Sequence, residues 1–124
     1  MKKPVFVSAQ DAAAMIGDGK TVATIGMTLV SASETILKAI EKRFLETGSP
    51  NQLTLVHSCG QSDRDRGIQH FSHDGMLKCI IGGHWGLQPR MMKMIAENKM
   101  LAYCLPQGQF AQLYRSMAAV SYTH

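Results

Sequence analysis

Four hydrophobic runs in this chain each end in a polar loop that carries glycine. These loops are Ile25-Gly26-Met27-Thr28, His57-Ser58-Cys59-Gly60, Gly82-Gly83-His84-Trp85-Gly86 and Leu105-Pro106-Gln107-Gly108. If the runs are parallel strands joined by helices, all four loops lie at the carboxyl edge of one sheet. Open α/β folds bind ligands in a crevice at that edge. The pattern therefore predicts an open α/β fold with a composite site built from loops.

The segments between the runs have helical patterns and helix-end signals. Ser8 and Asp11 resemble a capping arrangement for a short opening helix, and Ser31 and Glu34 have the spacing of a capping box. Gly48 provides a C-terminal cap, and Pro50 prevents that second helix from continuing. Pro89 lies near the first turn of a third helix. A last amphipathic helix follows Gly108. The strands are expected at residues 21–25, 53–56, 77–81 and 100–104.

The polar segment Gln61–Gly75 interrupts this rhythm. We expect it to form an extended surface loop or a short helix without a core face. Its His70-x-x-His73-Asp74 pattern resembles part of a metal cluster, but one short loop lacks the remaining ligands. Solvated histidines and no metal site are therefore predicted.

Composition limits the class of protein. A chain of 124 residues with 45% hydrophobic and 18% charged residues is typical of one globular domain. It has neither a signal-like apolar stretch nor the run of about 18 apolar residues that crosses a bilayer. We expect a cytoplasmic protein that does not bind membranes. The three cysteines have no C-x-x-C spacing, so reduced thiols are expected. The net charge of +4 is spread without an aromatic-interleaved stripe, so nucleic-acid binding is not predicted.

Glycines after strands let backbone N–H groups approach a phosphate or acyl oxygen, which suits an anionic ligand. The alternative is that each glycine only turns the chain. No Walker loop is present, and Gly17-Asp18-Gly19 precedes a strand where a dinucleotide fingerprint would follow one. Ordinary nucleotide binding is therefore disfavoured.

Two loops contain groups with catalytic potential. His57, Ser58 and Cys59 place an imidazole, a hydroxyl and a thiol at one strand exit, which suggests an independent hydrolase. Adjacent residues on a strand point to opposite faces, however, and no G-x-S-x-G elbow is present. Gln107, between Pro106 and Gly108, could polarise a carbonyl, or it could cap the following helix or face solvent.

As an ordered set, several motifs resemble the N-terminal part of family I coenzyme A transferases, most closely the fused bacterial acetate or short-chain acyl-CoA transferases. The motifs are Asp63-Arg64-Asp65-Arg66-Gly67, Gly82-Gly83-His84-Trp85-Gly86, Pro89-Arg90 and Ala102-Tyr103-Cys104-Leu105-Pro106-Gln107-Gly108. The resemblance covers about residues 4–119 and fades in a divergent end at 120–124. It assigns residues 1–124 to an incomplete α-like domain, with an open, mainly parallel sheet and helices on both faces.

The resemblance implies transfer of CoA between an acyl-CoA and a free short-chain carboxylic acid through acyl anhydride and glutamyl-CoA thioester intermediates. CoA would act as a substrate, with no metal or other cofactor. Gln107 would lie beside the reacting carbonyl as the catalytic candidate. The substrate-binding candidates at the strand exits are Gly26, Met27, Thr28, Gly82, Gly83, His84, Gly86, Pro106 and Gly108.

The sequence departs from the family at three places. The family's nucleophilic glutamate lies in a glycine-rich segment of the β-like half, a setting that no glutamate of this chain has. The loop at Gly26 is less glycine-rich than usual, and the ending resembles a truncated or frameshifted product. We therefore expect a fragment that is inactive without a β-like half or complementary subunit, and a homo-oligomer when complete. The alternative is a non-catalytic α/β module that binds CoA or a partner.

Overall fold

All four predicted strands are present and form one parallel sheet in the order β1-β2-β3-β4. The computed structural model describes residues 3–119, so the divergent end at 120–124 lies outside the described residues. The strands differ from their predicted bounds by one residue at one end. The elements in chain order are α1 (Ala9–Ala14), β1 (Thr21–Thr24), α2 (Glu34–Thr47), β2 (Leu53–His57), a 3₁₀ helix (Gly67–Phe71), β3 (Leu77–Gly82), α3 (Pro89–Ala96), β4 (Leu101–Cys104) and α4 (Gln107–Ala118).

The register of the sheet places one row of apolar side chains on a common face. Val22 aligns with Leu55, Leu55 with Ile80, and Ile80 with Ala102. Because side chains alternate along a strand, these four point to the same side of the sheet. They pack with apolar residues of α1, α2, the 3₁₀ segment and α3 in the main core, which includes Ala13, Leu37, Ile40, Phe71, Met76, Met91 and Met94.

The two faces of the sheet are covered unequally. With strands in sequential order, right-handed crossovers place all the connecting helices on one face. Consistent with this, α2 contacts α1 and the 3₁₀ helix, which in turn contacts α3. Phe110 of α4 is buried outside the main core, as is Val56, whose side chain points away from Leu55. At the β4 edge of the sheet, Leu101 and Tyr103 remain exposed.

Most of the helix ends follow the sequence. The Ser8 hydroxyl accepts a hydrogen bond from the Asp11 backbone N–H at 3.1 Å, and Pro89 is the first residue of α3. Gly48 ends α2 in the left-handed conformation, with φ of 74°. The prediction of a capping box between Ser31 and Glu34 is wrong, because α2 begins at Glu34 and has no side-chain cap. Glu34 instead accepts a hydrogen bond from the Gly67 backbone N–H at 3.0 Å.

The prediction that Gln61–Gly75 has no core face is also wrong. A 3₁₀ helix forms there, and Ile68 and Phe71 are fully buried in the main core. Side chains three residues apart lie above one another in a 3₁₀ helix. Ile68 and Phe71 therefore share one side, although this spacing is too short to show as α-helical periodicity.

No helix within residues 3–119 has both the length and the apolar character needed to cross a membrane.

Candidate functional site

Hydrogen bonds join the exit loops of β1 and β2. The Thr28 backbone N–H donates to the Gly60 carbonyl at 2.7 Å, and the Cys59 thiol donates to the Gly26 carbonyl at 3.0 Å. The buried Gln61 side chain donates to the carbonyl of Thr24, the last residue of β1, at 3.0 Å. These bonds fix the loop that follows β1 against the loop that follows β2.

A hydrogen-bonded pair of aromatic side chains, the buried His57 and the half-buried Trp85, connects the exits of β2 and β3. His57, the last residue of β2, is fully buried, and its Nδ1 lies 2.8 Å from the Cys59 carbonyl oxygen. The indole Nε1–H of Trp85 donates to Nε2 of the same ring at 2.9 Å. Since a carbonyl only accepts, Nδ1 carries the proton and the ring is neutral. Burial lowers the pKa of His57, which favours the same form.

The glycines at the β3 exit make room for protein atoms. A Cβ on Gly82 would meet the His57 ring and the Trp85 indole, and one on Gly83 would meet the Ser58 carbonyl oxygen. A Cβ on Gly86 would meet the His84 ring. Close approach between the two strand exits therefore accounts for Gly82 and Gly83, and a contact within the β3 exit loop accounts for Gly86.

The exit of β4 has a different environment. The Leu105 backbone N–H donates to the Gly82 carbonyl at 3.0 Å, which ties this loop to β3. Pro106 is extended, and Gln107 is the first residue of α4, with its side chain exposed. A Cβ on Gly108 would have no atom within 4 Å. In this first turn of α4 the Gln109 backbone N–H donates to the Pro106 carbonyl at 2.9 Å, and the space beside Gly108 is open.

The β1 exit loop is held by its own backbone. Met27 and Val30 exchange backbone hydrogen bonds of 3.1 and 2.9 Å, which leave the Met27 and Thr28 side chains exposed. Gly26 has φ of 136°, and a Cβ there would lie 2.8 Å from the Val30 carbonyl oxygen. Both the conformation and the close contact require glycine at this position.

The side chains that a hydrolase would need are engaged in other hydrogen bonds. His57 uses one ring nitrogen as a donor to Cys59 and the other as an acceptor from Trp85. No lone pair remains on the ring to accept a proton from a nucleophile. The Cys59 thiol is engaged by the Gly26 carbonyl. The suggestion of an independent hydrolase at His57 or Cys59 is therefore not supported.

All four glutamates of the chain have partners within the protein. Carboxylate oxygens of Glu34 and Glu41 lie within hydrogen-bond distance of the two ring nitrogens of His70, and Glu41 also contacts His73. Two more pair with lysines, Glu46 with Lys42 and Glu97 with Lys99. In the β2 exit segment, hydrogen bonds from Arg66 lower the pKa of Asp63 to about 2. These carboxylates have partners other than a substrate.

The histidines at 70 and 73 are not solvated, so that prediction is wrong. His70 is buried, and both of its ring nitrogens face carboxylate oxygens. The polar sequence of the segment concealed this contact, because the carboxylates come from α2, about 30 residues earlier in the chain. Within residues 3–119, no three His, Cys, Asp or Glu side chains are arranged to hold a metal ion.

Sequence reasoning missed two of the side chains that fix the strand exits. The roles of Trp85 and Gln61 depend on partners from other strands, His57 and Thr24. One sequence signal could have indicated these roles, namely that both residues follow a buried strand. A polar side chain that is buried there needs a hydrogen-bond partner.

Comparison with known proteins gives one consistent result. The acetate CoA-transferase YdiF of Escherichia coli strain K12 is 34% identical over 115 residues, which are 91% of this chain and 22% of that protein. The caffeate CoA-transferase of Acetobacterium woodii is 36% identical over 115 residues, or 92% of this chain and 22% of that protein. No protein-family model matches the chain.

Solved structures agree with these sequences. The acyl-CoA transferase YdiF of E. coli O157:H7 in a thioester complex with CoA has a TM-score of 0.85 and 34% identity, covering 91% of this chain and 22% of that one. Its apoenzyme has a TM-score of 0.88 and 32% identity, covering 96% of this chain and 25% of that one. The chain thus spans about a fifth of the length of the curated relatives it matches.

Proposed function

We propose that this chain, a homologue of CoA-transferases over nine-tenths of its length, is part of a short-chain acyl-CoA:carboxylate CoA-transferase. The observation that carries the proposal is the set of four strand exits joined at one sheet edge, in a chain that is 34–36% identical to two named CoA-transferases over 115 residues. The substrates proposed are an acyl-CoA and a free short-chain carboxylic acid.

The chemistry is a double displacement at carboxyl carbons. A glutamate carboxylate attacks the acyl-CoA carbonyl, the CoA thiolate leaves, and an acyl-glutamyl anhydride forms. The thiolate then attacks the glutamyl carbonyl, which gives a glutamyl-CoA thioester and releases the first acid as its carboxylate. The second acid runs these steps in reverse. Each step develops negative charge on a carbonyl oxygen, so a hydrogen-bond donor aimed at that oxygen accelerates it.

The first turn of α4 is the part of this chain best suited to donate to such an oxygen. Gly108 leaves the space beside it open, and the exposed Gln107 amide can donate from the same turn. A helix N-terminus adds a positive potential there. We assign Gln107 to polarising the carbonyl and the loops at Gly26–Thr28 and Gly82–Gly86 to the walls of the site.

The nucleophile is proposed to come from outside this chain. None of the four glutamates lies in an exit loop, and Glu34 and Glu41 are already bonded to histidines. We therefore propose that a β-like half or a complementary subunit supplies the attacking carboxylate, and that this chain alone is inactive. CoA is a substrate, and no metal or other cofactor is assigned. A homo-oligomeric complete enzyme and a cytoplasmic location remain predictions.

Calorimetric titration with CoA and with acetyl-CoA separates this proposal from a CoA-binding module. The proposal predicts weak binding by the isolated folded chain, because one wall of the site is absent, and weaker binding still by Gln107→Ala. Gln52→Ala, which changes an exposed glutamine at the opposite end of β2, serves as the matched control and leaves binding unchanged. Tight, saturable CoA binding that Gln107→Ala does not alter would favour the module and contradict the proposal.

A further inference from the structure

Two glutamates and two histidines form a network between α2 and the segment that joins β2 to β3. His70 Nδ1 lies 2.5 Å from Glu41 Oε2, and His70 Nε2 lies 2.7 Å from Glu34 Oε1. His73 Nε2 lies 2.6 Å from the second oxygen of Glu41. The His70 side chain is 9% exposed, and those of Glu41 and His73 are about one-fifth exposed.

This geometry requires one proton more than neutral histidines and ionised glutamates provide. A neutral imidazole has one N–H and one lone pair, and ionised carboxylates can only accept. His70 faces a carboxylate oxygen at each nitrogen, so both contacts are hydrogen bonds only if the ring carries two protons. Burial raises the pKa values of Glu34 and Glu41, but hydrogen bonds from the histidines and from the Gly67 backbone N–H, together with nearby positive charge, hold both below their usual range. Because an imidazole is more basic than a carboxylate, the extra proton belongs on the imidazole.

Few other charges face the network. On α2, the Lys38 ammonium lies 3.8 Å from Glu34, and on the β2–β3 segment the Arg66 guanidinium is close enough to Glu34 to interact with its charge. Asp74 is paired with Lys99. α3 also packs against the 3₁₀ helix, but its charged residues Arg90 and Lys93 are exposed and make no hydrogen bond to the four side chains.

The network holds a segment that continues into the exit loop of β2. Glu34 accepts from the Gly67 backbone N–H, and the next residue, Ile68, donates its backbone N–H to the Gln61 carbonyl at 2.9 Å. Gln61 in turn bonds to the end of β1. A change in the network is thus connected through three hydrogen bonds to the carboxyl edge of the sheet.

We propose that Glu34, Glu41, His70 and His73 form a proton-operated clamp, in which a doubly protonated His70 holds the β2–β3 segment on α2. Loss of that proton leaves a nitrogen lone pair facing a carboxylate lone pair, which replaces attraction by repulsion. The segment then loosens from α2, and the Gly67 and Ile68 backbone N–H groups lose protection from solvent exchange. The inference does not depend on the transferase proposal, because it concerns this cluster alone.

The protonation state can be read directly from the ring nitrogens by ¹⁵N NMR between pH 5.5 and 9. The clamp predicts that both nitrogens of His70 are protonated at pH 7.5. A His70 ring with one unprotonated nitrogen at pH 7.5 would overturn the proposal. This measurement needs no substitution.

A second measurement uses His70→Gln, which can donate a hydrogen bond but does not titrate, with His84→Gln as the matched control. Because the clamp requires a second proton on His70, folding takes up a proton, and the stability that the clamp gives falls as pH rises. The urea midpoint of the unchanged chain and of His84→Gln should therefore fall above neutral pH, together with amide protection at Gly67 and Ile68. His70→Gln should lack that fall. Identical profiles for all three proteins would contradict the clamp.

Discussion

The Trp85 indole donates to Nε2 of His57 over 2.9 Å, and the two rings meet edge to face at 63°. This contact fixes the tautomer of a fully buried histidine and joins the exits of two neighbouring strands. It also explains the glycine at position 82, since a side chain there would occupy the space of both rings. A polar contact in the strand-exit loops thus serves the structure and is not free for catalysis.

Replacement of Trp85 by phenylalanine tests this contact. Trp85→Phe keeps an aromatic ring but leaves the buried Nε2 of His57 without a donor, which should lower the free energy of unfolding by about 1–3 kcal/mol. Urea unfolding measures the loss. Tyr103→Phe, at an exposed aromatic on β4, is the control and should change stability by less than about 0.5 kcal/mol. Equal effects of the two substitutions would refute the structural role of the pair.

Two glycine substitutions should act in opposite directions. Gly82→Ala forces a methyl group into the His57 and Trp85 rings and should cost about 3 kcal/mol, the upper end of overpacking effects. Gly108→Ala meets no atom and lies in a helix, where alanine is favoured by up to about 1 kcal/mol. Thermal and urea unfolding compare them. If the Gly82 variant were as stable as the unchanged chain, the packing explanation for that glycine would be wrong.

Phe71→Ala tests whether the polar segment after β2 contributes to the core. Removing this fully buried ring should lower the free energy of unfolding by about 3–5 kcal/mol. Phe6→Ala is the matched control, because Phe6 is fully exposed and should show a change of less than about 0.5 kcal/mol. A small effect at Phe71 would mean that the segment is peripheral.

Acid should destabilise the chain through the carboxylates of α2. Burial raises the pKa values of Glu34 and Glu41, but hydrogen bonds and nearby positive charge together hold them below their usual range in the folded chain. Stability from these groups is therefore present above the unfolded value of about 4.3 and is lost as pH falls through the folded-state values. Urea midpoints at pH 3–6 should fall less steeply in Glu41→Gln than in Glu46→Gln, which removes an exposed carboxylate of the same helix. Parallel profiles would exclude a contribution from Glu41.

The sequence correctly predicted the features that depend on local residue patterns. Hydrophobic runs with glycine-bearing ends identified all four strands and their parallel order, and the resemblance to CoA-transferases is confirmed. The features that the sequence did not predict depend on contacts between residues far apart in the chain. The burial of His70 requires Glu34 and Glu41 from a distant helix, and Ile68 and Phe71 follow a 3₁₀ spacing. The role of the glycines at 82, 83 and 86 in substrate binding stays a prediction, and the folded chain adds that protein atoms lie close to each of them.

The division of the reaction centre between this chain and a second polypeptide is tested most directly by an assay of CoA transfer from acetyl-CoA to propionate. The purified chain should give no turnover alone and should give turnover when mixed with an acetate CoA-transferase from which the matching 115 residues have been removed. Gln107→Ala should reduce the restored rate by about 100-fold or more, as expected for loss of a donor to a developing oxyanion. Substantial transfer by the isolated chain would contradict the account.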